Sequence, residues 1–109
     1  GFIDLVFRND GKYYILDWKS NKIGNSYDDY VKDHLEREMH KNNYHLQYLL
    51  YTIALVKYLQ KRNMKFDYES MFGGVYYLFL RGINTRLTGN GIYFNRPEHE
   101  LVEELLKFF

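Results

Sequence analysis

The chain has 109 residues, enough for one hydrophobic core. It is 46% hydrophobic and 19% aromatic, which excludes a disordered segment, and its formal charge of +1 confines any basic surface to local patches. With no cysteine, disulfides and thiolate metal sites are excluded. No stretch approaches the ~18 apolar residues of a membrane span, and no signal peptide is visible.

Residues 2–8 form a nearly continuous apolar run that contains one acid, Asp4. Asn9-Asp10-Gly11-Lys12 follows, and Asp-Gly between two apolar runs predicts a hairpin. Residues 13–19 form the second strand. With Asp10 and Gly11 as the loop, Asn9 faces Lys12, Phe7 faces Tyr14 and Asp4 faces Asp17. The two carboxylates then form a cross-strand pair with Cβ atoms about 4.5–5.5 Å apart, an arrangement destabilising by itself. Asp17 and Lys19, two residues apart, project to one face at the strand end. Residues 20–30 read as a polar loop. Ser26 with Asp28 and Asp29 marks the start of a helix over 28–41, with Tyr30, Val31, His34, Leu35 and Met39 as its better-packed positions, and Asn42-Asn43 breaks it. A long helix over 44–62, apolar on most faces, is expected to lie against a sheet.

Residues 63–70 read as a polar link. Gly73-Gly74 precede an apolar run over 75–80 without alternation, which predicts a central strand covered on both faces. Residues 82–91 are a glycine-rich loop, and 91–95 a short strand. Pro97 stops it and occupies an early position of a terminal helix that runs from Glu98 to a packed end at Phe108-Phe109. Gly1-Phe2-Ile3 reads as the interior of a strand, so the expectation is a piece of a longer protein. The order of elements predicts an α/β fold with a mixed sheet and at least one helix on a face, in a single unit over 1–109.

Asp4, Asp17 and Lys19 form the candidate catalytic set. Two carboxylates on adjacent strands suit a hard divalent cation such as Mg²⁺, and the Trp18 carbonyl between Asp17 and Lys19 is a further candidate ligand. A cation so held polarises a phosphodiester and acidifies a bound water, while a lysine positions that water or stabilises charge on the phosphate. The plain alternative is that Asp17 and Lys19 merely neutralise one another.

Four blocks carry a family resemblance. They are Gly1 to Phe7; Tyr14 to Asn21; Tyr44 to Leu55; and Phe72 to Gly82, continued by Gly91-Ile92-Tyr93 before Arg96-Pro97. In this order they resemble the nuclease core of the PD-(D/E)XK superfamily, and within it the C-terminal nuclease domain of the RecB family. The resemblance implies a restriction-endonuclease-like mixed sheet with flanking helices, here lacking an upstream helix and strand. It implies Mg²⁺-dependent DNA cleavage, with Mn²⁺ or Ca²⁺ able to substitute in binding, in a cytoplasmic helicase–nuclease that repairs double-strand breaks with RecC-like and RecD-like subunits. By position, Asp4 and Asp17 become metal ligands together with the Trp18 carbonyl, and Lys19 the catalytic lysine. Gln47 and Tyr51 match the family's Gln-x-x-x-Tyr motif, on one helix face, toward the metal site or DNA.

Two departures stand out. Ile3 replaces the proline that names the superfamily. The family's upstream histidine ligand has no match, because His34, His40, His45 and His99 all follow the acidic pair and read as surface or packed residues. Lys22 and Arg81 are the favoured DNA contacts among the basic residues, and the twelve tyrosines are assigned mostly to packing. Two rival functions are a non-catalytic DNA- or subunit-docking module of the same fold, and the nuclease of another helicase–nuclease or of a stand-alone exonuclease.

Overall fold

A computed structural model describes residues 3–63 and 65–109. The predicted strand start at Gly1-Phe2, and Met64 in the polar link, lie outside the described residues. The first strand, β1, is Leu5–Asn9 and the second, β2, is Lys12–Lys19. Asp10 and Gly11 join them with φ of 51° and 78°, the two positive values that a tight two-residue hairpin turn requires. The register follows from that turn: Leu5 pairs with Leu16, Phe7 with Tyr14 and Asn9 with Lys12.

The expected helix over 28–41 is two elements. Tyr27–Tyr30 is a 3-10 turn, Val31 is extended (φ −78°, ψ 164°), and α1 is Lys32–Lys41. Ser26 starts the 3-10 turn as foreseen: its hydroxyl accepts from the Asp28 N–H, and Asp29 Oδ2 accepts from the Ser26 N–H. The interruption has a tertiary cause. The carbonyls of Tyr27 and Tyr30, which a continuous helix would use internally, accept instead from Asn90 Nδ2 (2.9 Å) and the Gly91 N–H (3.0 Å). Tyr30, Leu35 and Met39 are buried, His34 is half-buried and Val31 is exposed.

Asn43 takes a left-handed conformation, and α2 spans Tyr44–Arg62. Tyr48, Thr52, Leu55, Val56 and Leu59 pack into the core, whereas Leu46 and Leu50 face outward. The link that follows contains one helical turn, α3 (Tyr68–Met71), started by Asp67 accepting from the Ser70 N–H. Strand β3 is Phe72–Phe79, followed by a 3-10 turn over Leu80–Gly82; β4 is Ile92–Asn95, and α4 is His99–Leu106. Pro97 precedes the N-cap Glu98 and so lies outside α4, whose end is also not packed: Phe108 and Phe109 are exposed.

The sheet order is β1-β2-β3-β4, with β2 and β3 parallel and the outer pairs antiparallel. One face carries Ile15, Asp17, Val75, Tyr77, Phe79 and Tyr93, all buried in the core that includes α2. The other face corrects the expectation for β3. Tyr76 and Leu78 are only half-buried there, and aromatic rings run from β1 to β4 across it: Phe7 on Tyr14 (5.1 Å), Tyr14 near Tyr76 (5.9 Å) and Tyr76 near Phe94 (4.7 Å). Gly73 and Gly74 belong to the strand and make room for those rings. A Cβ at Gly73 would sit 2.2 Å from the Tyr14 ring, and one at Gly74 (φ 140°) 2.5 Å from Phe94. A slip in the β2–β3 register falls at the same place. An unalternating apolar run suits two covered faces, but here its outer side chains shield one another.

Candidate active site

The hairpin register carries Asp4 to the end of β2. Asp4 lies one residue before β1, outside the ladder, and its Oδ2 accepts from the Trp18 N–H at 3.0 Å. Asp17, in β2, points to the covered face and is 3% exposed. The two carboxyl groups hydrogen-bond to each other. Such a contact favours the protonated form of one carboxyl over that of the other.

Burial raises the Asp17 pKa to about 6, helped by the hydrogen bond with Asp4 and opposed by Lys19. Asp4 moves the other way. The hydrogen bond with Asp17 holds its carboxyl below the usual value, aided by the Trp18 N–H and the Lys19 charge.

Lys19 Nζ stands 3.0 Å from Asp17 Oδ2. The contact is one of charge, because no donor is aligned for a hydrogen bond to that buried oxygen. The ammonium also lies over two rings, 4.3 Å from the centroid of Tyr44 and 5.4 Å from that of Tyr77. Tyr44 is anchored in turn. Its hydroxyl exchanges hydrogen bonds with the Asn21 amide, and Asn21 Nδ2 donates to Glu38 at 2.9 Å.

Gln47 and Tyr51, one turn apart on α2, both reach this region. Gln47 Oε1 accepts from the Tyr77 hydroxyl, and Tyr77 is the β3 partner of Asp17. Tyr51 is buried, and its hydroxyl pKa is raised by desolvation first and then by the charges of Asp17 and Asp4. The structure thus brings Asp4, Asp17, Lys19, Gln47 and Tyr51 to one end of β2 and α2. Tyr44, Tyr77, Asn21 and Glu38 were missed. Tyr44 looked like a helix start and Tyr77 like a strand filler, and only the parallel β2–β3 pairing places Tyr77 beside Asp17.

Lys22 and Arg81 sit apart from the carboxylates. They line a cleft of about 630 Å³ between the loop after β2 and the end of β3. Arg81 Nε donates to the Ser20 carbonyl at 2.7 Å, one residue beyond Lys19. The histidines have other partners: His34 pairs with the Asp29 carbonyl, His45 packs on Tyr48 and Tyr93, His99 stacks on Tyr68, and His40 is exposed.

The donor set suits a hard cation. A buried carboxylate oxygen without a hydrogen-bond donor faces a second carboxylate, and both are oxygen ligands. Among the described residues no group of three or more His, Cys, Asp or Glu side chains that could hold a metal converges.

A mixed four-stranded sheet with helices flanking it is the restriction-endonuclease-like type of α/β fold. No protein-family model matches the chain. Among curated proteins, the RecBCD enzyme subunit RecB of Haemophilus influenzae is 50% identical over 105 residues, 96% of this chain. The RecB subunits of Escherichia coli K12 and of Buchnera aphidicola from Acyrthosiphon pisum are 47% and 46% identical over 100% and 97% of it. The chain belongs to the RecB family, and it spans 9% of the length of each of these relatives. Among the described residues no helix is long and apolar enough to cross a membrane.

Proposed function

We propose that this chain holds the catalytic centre of a Mg²⁺-dependent deoxyribonuclease, the nuclease part of a cytoplasmic RecBCD-type helicase–nuclease that processes double-strand breaks with RecC-like and RecD-like subunits. One observation carries the reading: the buried, donor-poor Asp17 carboxylate faces Asp4 across the hairpin while Lys19 stands beside it. The relatives' names supply the DNA-repair context.

In this reading Asp4, Asp17 and the Trp18 carbonyl hold Mg²⁺, with Mn²⁺ or Ca²⁺ as binding substitutes. The bound cation supplies Lewis acidity toward the phosphodiester and its water. Both carboxyls would hold the cation in their ionised forms, which Lys19 favours by its charge. Lys19, steadied by the Tyr44 and Tyr77 faces, orients the attacking water and stabilises charge on the phosphate. Gln47 fixes Tyr77, and Tyr51 adds a hydroxyl beside the carboxylates.

The test is Asp17→Ala in the full-length natural protein. DNA cleavage is expected to fall by at least about a hundredfold, with DNA binding retained. Cleavage at the wild-type rate would overturn the assignment. The intact set of Asp4, Asp17 and Lys19 argues against the docking-module alternative, which a degraded set would have favoured.

A further inference from the structure

The cleft lined by Lys22 and Arg81 is built, and the catalytic reading does not use it. Two connections sew its two walls together, and a third braces the loop after β2. Buried Asn90 donates through its side-chain amide to the carbonyls of Tyr27 (2.9 Å) and Gly82 (2.7 Å). The Tyr30 hydroxyl accepts from the Ile23 N–H at 3.0 Å and donates to the Gly24 carbonyl. Arg81 ties the second wall to Ser20. The loop after β2 and the β3–β4 connection therefore form one preorganised surface.

Its lining has a consistent chemistry. Lys22 and Arg81 are exposed, and among the described residues neither takes part in an ion pair. No acidic side chain lines the cleft. Arg81 is held through Nε, which fixes the direction of its guanidinium. Tyr27 is 50% exposed on the same lining. A solvent-facing ring on one lining with two cations that, among the described residues, join no ion pair suits a phosphate joined to an unstacked base.

We infer that this cleft binds one nucleotide of a single-stranded DNA segment, its phosphate between Lys22 and Arg81 and its base on the Tyr27 ring. The inference rests on the nuclease reading for its purpose, holding the substrate strand next to the scissile phosphate. Lys22 lies three positions after Lys19, a span of at most ~11 Å. A duplex keeps its bases stacked on one another and offers Tyr27 no free face.

The experiment uses the full-length natural protein and an oligothymidine carrying 5-iodouracil, irradiated in EDTA so that no cleavage occurs. The crosslinked peptide is expected to contain Tyr27; crosslinks that avoid this loop would overturn the subsite. In Mg²⁺, Tyr27→Leu is expected to raise KM for single-stranded cleavage about tenfold with kcat within about twofold, the effect of one lost base–aromatic stack. Tyr27→Trp restores KM, and Lys22→Glu weakens binding and lowers its salt slope by about one. An unchanged KM in Tyr27→Leu, or an equal rise on blunt duplex, would also overturn it. Asp17→Ala in the same assay reads the catalytic assignment separately: if that variant cleaves normally the nuclease reading falls, and the Tyr27 crosslink still decides the subsite.

Discussion

The two faces of the sheet use similar side chains under different solvation. On the α2 face, Ile15 is fully buried beside Asp17, which is itself 3% exposed, and Tyr77 and Phe79 are fully buried on the same face. On the opposite face, Phe7, Tyr14, Tyr76 and Phe94 form a comparable aromatic set, yet Phe94 remains 46% exposed. An acid on the open face would keep its ordinary pKa. The same acid under α2 holds a proton at mildly acidic pH, because its charge is not solvated. The covered face thus holds an acid whose charge burial disfavours, and the open face carries no such tension.

Substitutions that probe the faces separately can break that contrast. Ile15→Ala removes a fully buried side chain from the covered face and is expected to cost about 3 kcal/mol in chemical denaturation, since the cavity cannot collapse between β2 and α2. A cost below about 1 kcal/mol would mean that the face is less tightly packed than the structure shows.

Asp17→Asn comes next. The folded pKa of about 6 lies above the unfolded 3.8, so the Asp17 contribution is fully present below about 4 and is lost as pH rises through 6. Metal-free protein should therefore lose stability over that interval. Asp17→Asn should flatten the dependence and raise stability at pH 8 by about 1–3 kcal/mol while abolishing cleavage. A flat wild-type profile between pH 4 and 7 would remove the argument for a strained acid.

The lysine environment is tested by Tyr44. Tyr44→Phe keeps the ring beneath Lys19 and loses only the hydroxyl link to Asn21; Tyr44→Leu loses both. The leucine variant is expected to lower kcat about tenfold and the phenylalanine variant about twofold, with KM unchanged in each. Equal losses would place the effect in the hydroxyl network instead of the ring.

Smallest of all, Phe94→Ala on the open face should cost about 1 kcal/mol, the value of one partly exposed ring pair with Tyr76. A cost of about 3 kcal/mol in the full-length protein would show that this face is covered there, and would erase the contrast between the two faces.

Much of the site was legible because its signals are local. Asp10-Gly11 dictates a tight turn, the turn dictates the register, and the register brings Asp4 to Asp17. The bounds of α2 follow from Asn43 and the basic end Lys61-Arg62. The break at Val31 was not legible, because the groups that claim the carbonyls of Tyr27 and Tyr30 lie some sixty positions away, at Asn90 and Gly91. The same distance hid the link from Arg81 to Ser20.

What the sequence determined by itself, then, is the hairpin and the chemistry at its end: which residues could be acids, which could be the cation beside them, and that Asp17 and Lys19 share one strand while Asp4 meets them across the turn. Tertiary structure decided their strength. Only the parallel docking of β3 on β2, with α2 across them, dries Asp17, sets Tyr77 and Tyr44 around Lys19, and joins two distant loops into a cleft that holds Lys22, Tyr27 and Arg81. Residue types and turn geometry act over a few positions of chain, whereas desolvation and cation–ring contacts depend on neighbours that no short-range pattern specifies.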